Sequence, residues 1–123
     1  MVVIAVVDDD PSVRDGLKNL LLSLGYGAAT YESAEQFLAV ADREPHSCIV
    51  ADVRMGGISG LEMQDRLKEK SFAAPIIFLT AHCDEATRSR AISGGAFAFL
   101  CKPFDEDELL LSIGSATASL GLN

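Results

Sequence analysis

The chain has 123 residues, 49% of them hydrophobic and 23% charged. That is enough for one domain with its own core and too few for two. Eighteen Asp and Glu against ten Lys and Arg leave a formal net charge of −8, which excludes a surface built on nucleic-acid phosphates or anionic lipid.

In chain order, five short apolar or β-branched runs occupy residues 2–7, 26–31, 47–51, 76–79 and 97–100. The first apolar stretch, residues 1–7, is too short to span a bilayer. Aspartates follow it and no cationic segment precedes it, so it does not read as a signal peptide and a cytoplasmic protein is expected. Each gap between runs holds a helical pattern. Asp10 and Pro11 read as N-cap and first helical residue, followed by the stripe Val13, Leu17, Leu20, Leu21 and Leu24 and by Gly25 as a left-handed cap. Ser33 with Gln36, Ser59 with Glu62, and Asp105 with Glu108 have the spacing of capping boxes. The helix near residues 84–92 has only Ala86, Ala91 and Ile92 as anchors and is expected to be the most mobile. The last helix carries Leu109, Leu110, Ile113, Ala116 and Leu120.

Strands alternating with helices predict one doubly wound (βα)5 domain over residues 1–123 with a parallel sheet. The first, third and fourth runs are nearly all apolar, as strands covered on both faces should be. The second is mixed and contains Gly27, which suits an edge. The order 2-1-3-4-5 fits, with the first and third strands adjacent at the centre; in this flavodoxin-like arrangement ligands bind beyond the carboxyl ends of the strands.

Three cysteines, Cys48, Cys83 and Cys101, make an odd count without a CxxC spacing, so no disulfide framework is expected. Cys48 and Cys101 lie in apolar runs and read as core residues; Cys83 falls in a loop. His46 and His82 have no ligand-like neighbours for zinc.

The strand ends carry the chemistry. The first run ends in Asp8-Asp9-Asp10, the third in Asp52, the fourth in Thr80 and the fifth in Cys101-Lys102-Pro103. A parallel sheet gathers these on one rim. Singly, each has an ordinary explanation as a loop residue or cap, and Asp10 is expected to be only a cap. Together they are harder to dismiss, because carboxylates about 4 Å apart repel by about 4 kcal/mol at an effective dielectric of about 20. Such a site calls for a cation, and oxygen ligands without His or Cys favour Mg²⁺ (Mn²⁺ is the alternative). A carboxylate beside Mg²⁺, an ammonium and a hydroxyl suits phosphoryl transfer to the carboxylate.

Asp8-Asp9, Asp52, Thr80 and Lys102-Pro103-Phe104, in this order and on these strands, resemble the receiver domain of bacterial response regulators, with a CheY-like fold. The stretches 7–10, 33–38, 52–55 and 102–104 look most like the FixJ-type subfamily. The resemblance implies that Asp52 is the phospho-acceptor, that Asp9 ligates Mg²⁺ directly, and that Asp8 acts largely through water. It implies the Arg54 main-chain carbonyl as a further ligand, Thr80 as the switching hydroxyl, Lys102 as the phosphoryl partner and Phe99 as the aromatic switch. The Lys102-Pro103 bond is expected to be cis. A sensor histidine kinase or a small acyl phosphate would be the donor. The fourth helix, fifth strand and fifth helix would form the responsive surface, for a homodimer or another partner. Arg54 and His82, each two residues beyond a site residue, are expected to tune the phosphate lifetime. FixJ-type receivers usually precede a DNA-binding domain, and none is recognisable in this sequence.

One departure is Gly56, where the family usually has Pro; the looser loop could weaken metal binding. It keeps open a pseudo-receiver that binds partners without phosphate. A haloacid-dehalogenase-like phosphatase is disfavoured because Arg54 stands where a second Asp is required. An FMN binder is disfavoured by aspartates where its phosphate would sit.

Overall fold

The computed structural model describes residues 2–118. The elements alternate as predicted: β1 (Val3–Val7), α1 (Pro11–Ser23), β2 (Gly27–Tyr31), α2 (Ala34–Val40), β3 (Cys48–Ala51), α3 (Gly60–Glu69), β4 (Ile76–Thr80), α4 (Glu85–Ser93), β5 (Ala98–Cys101) and α5 (Glu106–Ala118). The five strands are parallel in the order β2-β1-β3-β4-β5.

Strand alternation builds two cores. Ala5, Val7, Ile49, Ala51 and Phe78 face one side, where they meet Phe37 of α2, Met63 and Leu67 of α3, and Ala91 of α4. Ile4, Val6, Val50, Ile77 and Leu79 face the other, against Leu17 and Leu21 of α1 and Leu109, Ile113 and Ala116 of α5. β1, β3 and β4 are therefore almost wholly buried, whereas four of five β2 residues are half-buried. This is the difference read from the apolar and mixed runs.

The helix starts follow local chemistry. Asp10 accepts from the Ser12 N–H with Pro11 at N1, Ser33 accepts from Gln36 N–H, and Ser59 accepts from Glu62 N–H. Asp105 accepts from the Asp107 and Glu108 N–H groups. Gly25 adopts φ +89° just past α1, which a side chain would resist. Asp84 caps α4 through Thr87. Leu24 departs from its predicted stripe: it is the C-cap of α1 and half exposed, so the buried face is carried by Leu17 and Leu21. Leu120, expected on the last helix, lies outside the described residues.

The cysteine reading needs correction. Cys48 is buried and free, but Cys101 is exposed at the end of β5 and is disulfide-bonded to Cys83, with Cα atoms 5.9 Å apart. Its apolar run ends one residue earlier, at Leu100. The pairing is invisible in the sequence because strand register creates it: Thr80 is the β5 partner of Cys101, and Cys83 lies three residues beyond Thr80.

Candidate phosphoryl and metal site

Register brings the strand ends together. Val7 pairs with Ala51, and Ala51 with Phe78, so Asp8 and Asp52 leave adjacent strands side by side. Carboxylate oxygens of Asp8, Asp9 and Asp52 lie within 4.8 Å of one another. Asp8 and Asp52 are buried, and Asp9 is exposed. Lys102 reaches in from the end of β5, and its Nζ donates to Asp8 Oδ2 at 2.8 Å and Asp52 Oδ2 at 3.0 Å. The Lys102-Pro103 peptide that begins the following loop is cis, as expected.

Two buried carboxylates thus share one ammonium, with the Asp9 carboxylate a third beside them. Burial raises the Asp8 pKa, against the Lys102 and Asp10 N–H donors that lower it, and the Asp52 charge adds to the rise. Burial alone would lower the Lys102 pKa, but its bonds to Asp8 and Asp52 outweigh it and the net shift is upward. The excess negative charge and the all-oxygen donor set fit a hard divalent cation, whose field would favour ionised Asp8.

The surrounding backbone fixes these groups. The Asp10 N–H donates to Asp8 Oδ1 at 2.9 Å, and the Arg14 Nη1 of α1 donates to the Asp8 carbonyl at 2.7 Å. The Arg54 N–H donates to Asp52 Oδ1 at 3.3 Å, turning the loop around the carboxylate. The Arg54 side chain is exposed, and its charge reaches Asp84, whose pKa is lowered mainly by the Thr87 N–H. Thr80 is fully buried, and its Oγ1 accepts from the His82 N–H at 3.1 Å. His82 itself is half-buried in the same loop. Phe99 is buried with its ring centroid 6.4 Å from that of Phe78. Arg88 of α4 lies over the Phe99 ring at 5.9 Å and donates to its carbonyl.

Arg14 was missed because six residues separate it from Asp8, too far for a motif. Two further supports also escaped the sequence reading. A Cβ at Gly60 would run into the Asp52 carbonyl and the Phe78 ring, so only glycine lets the start of α3 sit this close to the acidic residue. Glu35 of α2 accepts from the Ile58 N–H at 3.3 Å and would meet any Cβ at Gly57, which has φ +84°. The glycine-containing loop after β3 is therefore braced from α2. A glycine in a helix-start motif was the available signal for Gly60; Glu35 gave none, since its partner is 23 residues away.

Comparison with known proteins agrees with this geometry. The family model "Response regulator receiver domain" matches residues 4–114. The transcriptional regulatory protein TdiR of Thauera aromatica is 45% identical over 113 residues, covering 92% of this chain and 50% of TdiR. The crystal structure of FixJ-N superposes with a TM-score of 0.89 at 31% identity, covering 96% of this chain and 94% of FixJ-N. The response regulator TrrA of Thermotoga maritima, solved in complex with Mg²⁺-BeF, gives a TM-score of 0.84 at 35% identity, covering 94% of this chain and 99% of TrrA. The chain spans about half the length of the curated relatives it matches.

Proposed function

The chain belongs to the response regulator receiver domain family, the signalling domain of two-component systems, and on that premise we propose that residues 1–123 act as one phosphoryl-accepting switch with Asp52 as the acceptor. An Asp52 carboxylate oxygen attacks phosphorus. The P–N bond of a kinase phosphohistidine, or the P–O bond of a small acyl phosphate, breaks, and its electron pair leaves with the donor. The domain thereby catalyses its own modification and its slow reversal, rather than turning over a separate substrate.

Asp8, Asp9, Asp52 and the Arg54 main-chain carbonyl would hold Mg²⁺, which supplies charge neutralisation for the phosphoryl oxygens. Lys102 exchanges part of its contact with Asp52 for a phosphoryl oxygen, and the Thr80 hydroxyl turns from the His82 N–H toward the same group. Phe99 and α4 then adjust, altering the surface of α4, β5 and α5, where Ile92 and Leu111 are exposed. That surface would take a second copy or an effector, while Arg54 and His82 at the rim govern access of hydrolytic water. The donor would be a sensor histidine kinase in the cytoplasm; no described helix is long and apolar enough to cross a membrane. With its net charge of −8, this receiver would not itself contact nucleic acid.

The observation carrying this reading is the Lys102 ammonium bridging two buried carboxylates at 2.8 and 3.0 Å. Acetyl phosphate with Mg²⁺ should add the mass of a single phosphoryl group to the wild-type chain and none to Asp52→Ala. Absence of the adduct in wild type under quenched, short incubations would overturn it. Timing its decay in Arg54→Ala and His82→Ala tests the rim residues; unchanged rates in both would remove them from the mechanism.

A further inference from the structure

We propose that Cys83 and Cys101 form a reversible dithiol–disulfide site that couples oxidation to the phosphoryl switch. The coupling rests on the receiver reading above; the thiol chemistry does not. Both cysteines are exposed, and their Cα separation of 5.9 Å lies within the range a disulfide spans. Buried Cys48 is a different case: burial pushes its thiol up to about 12, which keeps it protonated and inert.

The location gives the bond its consequence. Cys83 lies in the loop between β4 and α4, three residues beyond Thr80. Cys101 is the β-register partner of Thr80 and immediately precedes Lys102. The Lys102 N–H also donates to the Thr80 carbonyl at 2.8 Å. The disulfide therefore ties together the two segments that carry the hydroxyl and the ammonium of the site. It also closes a ring around the whole of α4. Among the described residues, α4 buries a single side chain, Ala91, so its packing restrains it weakly and a covalent tie at its N-terminal loop adds substantially to that restraint. In the oxidised state the loop is held where the His82 N–H donates to Thr80 Oγ1. Turning the hydroxyl toward a phosphoryl group on Asp52 gives up that bond, and the covalent tie limits how the loop can rearrange in response.

The oxidant would be hydrogen peroxide. One thiolate sulfur attacks the O–O bond to give a sulfenic acid, releasing one water after proton transfer. The second thiolate attacks that sulfur, forming the S–S bond and releasing a second water. Two thiols lose two electrons and two protons, and the peroxide is reduced. A small dithiol reverses the change by exchange, itself becoming the disulfide.

The test compares the 123-residue chain treated with dithiothreitol or hydrogen peroxide, with excess reagent removed. Peroxide should remove the mass of two hydrogens and leave Cys48 as the only thiol alkylated after denaturation, whereas Cys83→Ser and Cys101→Ser should form no intramolecular bond. Amide exchange across residues 81–93 should slow in the oxidised chain and recover on reduction. Phosphoryl uptake from acetyl phosphate with Mg²⁺ should fall by at least about fivefold on oxidation, the low end of measured coupling between sites. The double variant Cys83→Ser/Cys101→Ser should respond to neither treatment. Three free thiols after peroxide would overturn the site. A disulfide that changes neither exchange nor phosphoryl uptake, or that speeds uptake, would overturn the coupling. If the reduced chain accepts no phosphoryl group, the receiver reading fails, and thiol counts and exchange still decide the redox site.

Discussion

Removing the charge of Asp52 should make the metal-free protein more stable. Oxygens of Asp8, Asp9 and Asp52 lie within 4.8 Å of one another, so each repulsion felt by Asp52 is at least about 3.5 kcal/mol at an effective dielectric of about 20. Its attraction to the Lys102 ammonium at 3.0 Å is about 5.5 kcal/mol on the same scale. Two repulsions against one attraction leave Asp52 destabilising by about 1–2 kcal/mol. Solvent around exposed Asp9 softens one repulsion, while desolvation of Asp52, 8% exposed, adds a cost of the same sign. Asp52→Asn keeps the shape and the acceptor for the Arg54 N–H. In chelator at neutral pH, urea or thermal unfolding should show a gain of about 1–2 kcal/mol, or about 4–8 °C for a domain of this size. Saturating Mg²⁺ should reverse the ranking. Wild type gains about 2.7 kcal/mol when the ion reaches about 100 times its dissociation constant, and the variant gains less because one carboxylate is gone. A variant that is less stable in chelator, or equal Mg²⁺ responses in the two proteins, would refute the electrostatic reasoning.

Lys102→Met leaves two buried carboxylates without their ammonium and should cost about 3 kcal/mol at neutral pH without metal. Asp8 already has a raised pKa, so its stabilising protonation is complete below its unfolded value and lost as pH rises; the deficit in urea melts should therefore shrink on acidification. Gly60→Ala forces a Cβ against the Asp52 carbonyl and should destabilise by about 1–3 kcal/mol, with weakened Mg²⁺ affinity by titration. Gly56→Ala, where a Cβ meets nothing within 4 Å, is the control for the steric loss of stability. His46 packs against Tyr31 and Phe37, and burial lowers its pKa although the Glu44 charge opposes it. Its contribution is present above its unfolded value of 6.5 and is lost as pH falls toward the lower folded value. His46→Phe should flatten the stability–pH curve over that window; an unchanged slope would exclude His46 as its source.

Much of the architecture was legible because its causes are local. Strand runs, helix caps at Asp10, Ser33, Ser59 and Asp105, and the break at Gly25 each depend on residues within a few positions. Apolar runs marked β1, β3 and β4 as interior strands and a mixed run marked β2 as an edge, a pattern that the order 2-1-3-4-5 fits. From that order the gathering of Asp8, Asp9, Asp52, Thr80 and Lys102 on one rim followed.

The tertiary structure decided what depends on contacts distant in the chain. Lys102 bridging Asp8 and Asp52 spans 94 and 50 residues; a sequence can place these groups on one rim but cannot set which oxygens share the ammonium. The fit of Gly60 against Asp52, the brace from Glu35 and the hold of Arg14 on Asp8 arise from packing. Cys101 shows the difference most plainly. Its apolar neighbours predicted a core residue, but strand register turned it outward beside Cys83. Periodicity reports which way a side chain faces on an ideal strand, and the last residue of a strand is where that rule gives way to whatever the next element places beside it.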